Sequence, residues 1–143
     1  MKPCVVLDTN ILLDLFYFKD KRVQELMNCL QHHKIRAFTC SAIWEELEEV
    51  LARKPFHQNP EQIQMIRETN SSLFEWLTPE SKRSGIKCSD PDDQIFIELA
   101  VTLAPCLLIT KDNDLLKLRR RLELVQVRTL QEFPDNLGLS ETI

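Results

Sequence analysis

Four short apolar runs, Cys4 to Leu7, Ile35 to Cys40, Cys106 to Thr110 and Leu124 to Val127, are spaced through this chain of 143 residues. Each has the length of a buried strand, and helix-length stretches lie between them. Alternation of this kind predicts a parallel sheet with helices on both faces.

The intervening segments fit that plan. Asn10 to Phe18 is apolar almost all round and begins a buried helix, and Lys21 to His33 continues as an amphipathic one. Ser41 is expected to cap a helix running to about Arg53. Lys54-Pro55 and Asn59-Pro60 bracket a loop before a helix over Glu61 to Phe74. Glu75 to Leu77 is expected as a short edge strand closed by Pro79, and the polar stretch 80–89 as a loop. Helices are expected over Asp92 to Ala104, stopped by Pro105, and over Asn113 to Leu122. The fold class predicted is α/β, a doubly wound, mostly parallel five-stranded sheet flanked by helices in a single domain. That domain is expected over residues 1–134, followed by a C-terminal tail over 135–143.

Composition narrows the chemistry. Only two glycines occur, Gly85 and Gly138, so the Gly-rich phosphate loops of nucleotide-binding folds are absent. The five cysteines lack C-x-x-C spacing, which argues against zinc and for reduced thiols. His32, His33 and His57 read as solvated. No apolar stretch reaches membrane-span length and the N-terminus is no signal peptide, so a soluble, cytoplasmic protein with no membrane partner is expected. The net charge of −4 argues weakly against a nucleic-acid partner, but clustered carboxylates explain part of it.

Four acids map to one edge of the expected sheet. Asp8 ends the first apolar run, and Asp112 follows the run Leu107 to Thr110. Glu46 lies early in the helix after the second strand, and Asp93 in the first turn of the helix opening at Asp90-Pro91. Strand ends and helix starts share the edge where open α/β sheets bind ligands. Carboxylates gathered there repel unless a cation neutralises them. An all-oxygen site suits Mg²⁺ or Mn²⁺.

Each acid also has an ordinary structural use. Asp8 or Asn10 suits a helix N-cap, and Asp90 with Pro91 and an acid at the third position is a common helix start. Asp93 shares a face with Ile97 and Ala100 and so looks inward. At ~100° per residue, Glu46 borders the apolar stripe of Ile43, Leu47, Val50 and Leu51, while Glu45, Glu48 and Glu49 turn away. An ion pair with Arg or Lys would equally serve Glu46 there. One of Asp112 and Asp114 caps the following helix and the other is free for the site, with Asp112 the first choice.

The ordered set of these segments resembles the PIN-domain family. The resemblance rests on Val6-Leu7-Asp8-Thr9-Asn10-Ile11-Leu12-Leu13, on Ser41 with Glu46-Leu47, on Asp90-Pro91-Asp92-Asp93 with Ala100, and on Ile109-Thr110-Lys111-Asp112-Asn113-Asp114-Leu115-Leu116. Val125 to Phe133 is similar to the family's closing strand, so about Lys2 to Phe133 is covered. Pro105 stands in a turn that the family builds from small residues, and Lys54 to Glu61 is not diagnostic. The resemblance is closest to small single-domain prokaryotic members, often the toxins of toxin–antitoxin pairs.

The resemblance implies a Mg²⁺- or Mn²⁺-dependent endoribonuclease. Its acids map onto Asp8, Glu46, Asp93 and Asp112, with Asp114 auxiliary, and onto Asn10 and Thr110 as polar supports, beside Asp90. RNA is the implied substrate. An antitoxin protein and a second copy of the chain are the protein partners it allows. Lys111, Lys117, Arg119-Arg120-Arg121, Lys82, Arg83 and Lys87 could hold an RNA backbone, or be ordinary solvated residues. Two other readings compete: a phospho-acceptor receiver domain, which also places an Asp and a Thr at strand ends, and a non-catalytic RNA-binding module of the same fold. Lys111 directly after Thr110 is misplaced for a receiver.

Overall fold

The computed structural model of the chain describes residues 2–79 and 85–131. Five strands form one sheet in the order β3-β2-β1-β4-β5. They are β1 (Cys4–Leu7), β2 (Arg36–Thr39), β3 (Glu75–Trp76), β4 (Cys106–Ile109) and β5 (Val127–Leu130). Every neighbouring pair is parallel. The central strands are covered on both sides, with Val5, Val6, Leu108 and Ile109 excluded from solvent. That burial explains why their sequences are continuous apolar runs.

Helices supply the cover: α1 (Thr9–Leu13), α2 (Gln24–Gln31), α3 (Ser41–Ala52), α4 (Pro60–Asn70), α5 (Gln94–Thr102), α6 (Asn113–Leu116) and α7 (Arg119–Glu123). A π-helical turn, Asp14–Phe18, extends α1 until Lys19 turns into the left-handed region. α1 and α4 both pack on α3, whereas α5 lies against β1 and β4. Trp44 of α3 is fully buried and meets the rings of Phe16, Phe74 and Trp76. None of the helices described is long and apolar enough to cross a membrane.

The strand order decides where a ligand fits. From β1 the chain steps outward through β2 to β3, then returns to β4 and moves the other way to β5. Right-handed crossovers put the two sets of helices on opposite faces. The crevice therefore opens between the ends of β1 and β4. This order is not the 2-1-3-4-5 order of receiver domains, which removes the main support for that reading.

Several elements differ from the sequence reading. The last strand is Val127–Leu130, not Leu124 to Val127. Leu124 is 85% exposed at the end of α7, and Gln126 reverses the chain with a positive φ. The strand begins where Val127 and Thr129 can alternate inward with Arg128 outward. Ser41 does not cap α3: it is the first helical residue, and Cys40 occupies the cap position with no side-chain bond. The helix expected over Asn113 to Leu122 breaks after Leu116 and resumes at Arg119. Lys21–Val23 and Pro91–Asp93 are single tight turns ahead of α2 and α5. The expected tail and domain boundary, the first half of the polar loop, and Lys82 and Arg83 lie outside the described residues.

Candidate active site

Asp8 stands at the first position beyond β1 and is only 3% exposed. Its backbone N–H donates to the Ile109 carbonyl (3.1 Å), which ties it to β4. One carboxylate oxygen accepts the Ile11 N–H (3.0 Å), capping α1, and the other accepts the Thr110 hydroxyl. Burial raises the Asp8 carboxyl above its ordinary value, the two hydrogen bonds oppose that, Asp112 adds to it and Lys111 subtracts.

Thr110 is completely buried and does two jobs. Its hydroxyl donates to Asp8 and accepts the Asp112 N–H (3.0 Å). Asp112 then caps α6, its Oδ1 accepting the Asp114 N–H (2.7 Å). The alternation of cap and free acid foreseen for Asp112 and Asp114 is thus settled in part: Asp112 is the cap, yet it also meets Asp93.

Asp93 closes the turn that opens α5 and is buried. Its Oδ2 has no hydrogen-bond partner. Burial first, then a hydrogen bond with the Asp112 carboxyl, then the charges of Asp112, Asp90 and Glu46, push its pKa up to about 8.

Glu46 is half-buried on α3, whereas Glu45 and Glu49 are exposed and Glu48 pairs with Arg67 (3.1 Å). Its carboxyl is raised by burial, lowered by the nearby Thr9 hydroxyl, and raised again by Asp92, Asp8 and Asp90. The buried Thr9 Oγ1 forms no hydrogen bond of good geometry. The ion pair that would equally have placed Glu46 is not formed among the described residues.

A second set of acids is the tightest. Oxygens of Asp90, Asp93 and Asp114 all lie within 4.8 Å of one another. Asp90 caps the turn through the Asp92 N–H (3.0 Å). Asp114 accepts the Ser89 hydroxyl (3.1 Å) and pairs with Lys117 (3.2 Å), which together lower its carboxyl pKa.

The fold therefore gathers Asp8, Glu46, Asp90, Asp93, Asp112 and Asp114 around the end of β1 and β4. Asn10 is exposed in the first turn of α1 and makes no side-chain bond among the described residues. Lys111 pairs its ammonium with Asp14. Lys87 and Arg119 to Arg121 are exposed. Sequence reasoning missed Thr9, Ser89 and Asp92 as neighbours of the acids. Thr9 adjoins Asp8, and Ser89 and Asp92 flank Asp90-Pro91, so adjacency to the acids was the available signal.

Asp8, Glu46, Asp93 and Asp112 form no ion pair among the described residues. Crowded carboxylates, one with an orphaned buried oxygen, make an all-oxygen donor set that fits a hard divalent cation. A family model described as PIN domain matches residues 4–114. No curated protein matches the chain.

Proposed function

The chain belongs to the PIN-domain family, a family of nucleases, and from that premise we propose that it is a Mg²⁺- or Mn²⁺-dependent endoribonuclease. The observation that carries the reading is the orphaned Oδ2 of Asp93, buried among Asp112, Asp90 and Glu46 with no cation among the described residues to balance them. The ion would be held at Asp93, with Asp90 and Asp114, whose oxygens already lie within 4.8 Å of it and of each other, on one side and Asp8, Glu46 and Asp112 on the other.

A divalent ion bound there would lower the pKa of a bound water and would offset charge on the phosphate. The side chains do the rest. Thr110 and the Ile11 N–H fix both oxygens of Asp8, so it cannot rotate away from the crevice. Asp112 is held by its cap and by Thr110. Such fixed acids need no reorganisation when the phosphodiester arrives. Attack by a water held at the ion, rather than by the RNA's own 2′-hydroxyl, would leave 5′-phosphate and 3′-hydroxyl ends, so the product ends distinguish the two routes.

Incubation of the purified protein with RNA in Mg²⁺, in Mn²⁺ and in EDTA tests this. Cleavage is expected with either ion and not in EDTA, and Asp8→Asn should abolish it while the melting curve keeps its shape. Equal cleavage in EDTA would overturn the mechanism. The narrower reading, that the enzyme is a toxin held by an antitoxin in the cytoplasm, rests on the resemblance alone. Relief of growth arrest by co-expressing the adjacent reading frame tests it.

A further inference from the structure

Trp76 ends β3 and pairs with Thr39, one step beyond the row in which Phe38 pairs with Val6. It therefore sits in the cross-sheet row of Leu7, the residue before Asp8. Two strand spacings separate the rows' ends, about 10 Å. The acids and Trp76 share one edge of the sheet.

The indole is 38% exposed but firmly held. Its Nε1–H donates to the Ser71 carbonyl (3.1 Å). The buried Trp44 ring lies against it, centroids 5.6 Å apart and planes inclined by 34°. The Arg67 guanidinium stands 5.6 Å from its centroid, and Arg67 is in turn fixed by Glu48 (3.1 Å). An aromatic surface held in this way loses little freedom when something stacks on it. Both charged neighbours of the ring are already paired, Glu75 with Arg36 (2.8 Å) and Arg67 with Glu48, so what is left on offer is a fixed, partly exposed aromatic surface at the same sheet edge as the acids.

We propose that Trp76 and Arg67 form a shelf that takes one unpaired nucleobase of single-stranded RNA beside the scissile position; this rests on the ribonuclease reading above. Bases stack on aromatic rings and guanidinium planes regardless of sequence. A base inside a duplex is not free to stack there, so the shelf favours single strands over duplexes.

The test uses the full chain, a uridine hexamer, and a duplex RNA of similar length, with Ca²⁺ replacing Mg²⁺ during binding. Trp44 is fully buried, so Trp76 supplies the fluorescence response. Quenching by the hexamer is expected in the wild type and should vanish in Trp76→Phe. Trp76→Ala should weaken hexamer binding about 10- to 100-fold, Trp76→Phe less, and neither should change duplex binding. In cleavage, KM for single strands should rise with kcat kept. Trp76→Phe keeps a ring on Trp44, so it preserves the comparison if Trp76→Ala fails to fold. Unchanged hexamer affinity in a folded Trp76→Ala protein, or an equal loss for the duplex, would overturn the shelf. Metal-dependent cleavage with no Trp76 effect sinks the shelf alone. Quenching and weakened binding without cleavage in any metal support the shelf and sink the nuclease reading.

Discussion

The hydroxyl of Thr110 serves two acids at once, and removing it leaves two buried groups short of a partner. Thr110→Val should cost about 1–3 kcal/mol for each group left unsatisfied. Asp8 would also lose the stronger of the two hydrogen bonds that restrain its pKa. Thermal melts should show a drop of several degrees, with cleavage much reduced, and Thr110→Ser should recover most of both. Asp93 has the opposite effect on stability. Its pKa rises from an ordinary 3.8 to about 8 on folding, so between those values the folded chain binds more protons than the unfolded one. Stability in EDTA should therefore fall as pH rises from about 4 to about 8. Asp93→Asn should flatten that fall, as urea midpoints across the range would reveal. An unchanged slope would mean that another group is responsible. Glu46→Gln should reduce cleavage by orders of magnitude and Glu45→Gln little, because only Glu46 turns toward the acids. Equal effects would place the helix differently. What could be read from sequence at this scale was direction. Asp93 shares a face with Ile97 and Ala100, and Glu46 borders the stripe of Ile43 and Leu47. What could not be read was distance. Asp90 and Asp114 meet because Ser89 bonds across to the start of α6, a contact between positions 25 apart.

Elements with clear punctuation were legible, and those defined by tertiary pairing were not. Asn59, Pro60 and Gln62 announce α4, where the Asn59 side chain accepts the Gln62 N–H (2.8 Å) and Gln62 answers the Asn59 N–H (2.9 Å). Asn59→Ala should cost about 1 kcal/mol, measurable as a shifted urea midpoint with an unchanged slope. α3 misled because Ser41 is a good capping residue that the fold does not use as one. β5 misled because Leu124 and Val125 are as apolar as any strand residue, and only the turn at Gln126 shows that pairing starts later. The short β3 was legible from Pro79 behind it, and the exposed Trp76 gives that small edge element its importance.

At the scale of the molecule, alternation of apolar runs was enough to give a parallel five-stranded sheet, and the strand order then put the acids at its switch point. A divalent ion that binds only the folded chain should stabilise it by about 2.7 kcal/mol when free ion is a hundredfold above its dissociation constant. Melts with EDTA and with Mn²⁺ should differ for the wild type and differ much less for Asp8→Asn. No rise in the wild-type melting temperature at millimolar Mn²⁺ would count against the site.

The bond from Thr110 to Asp8 joins positions 102 apart in the chain. A ribosome making this protein releases Asp8 early, and that carboxylate then waits for nearly all of the remaining sequence. Glu46 follows, then Asp93, and only the arrival of β4 brings Thr110 and Asp112 to close the group. A chain interrupted before that strand carries most of its acids and no assembled centre. The centre proposed above therefore needs the chain made at least through Asp112, so a fragment ending before β4 should carry its first acids without cleaving RNA.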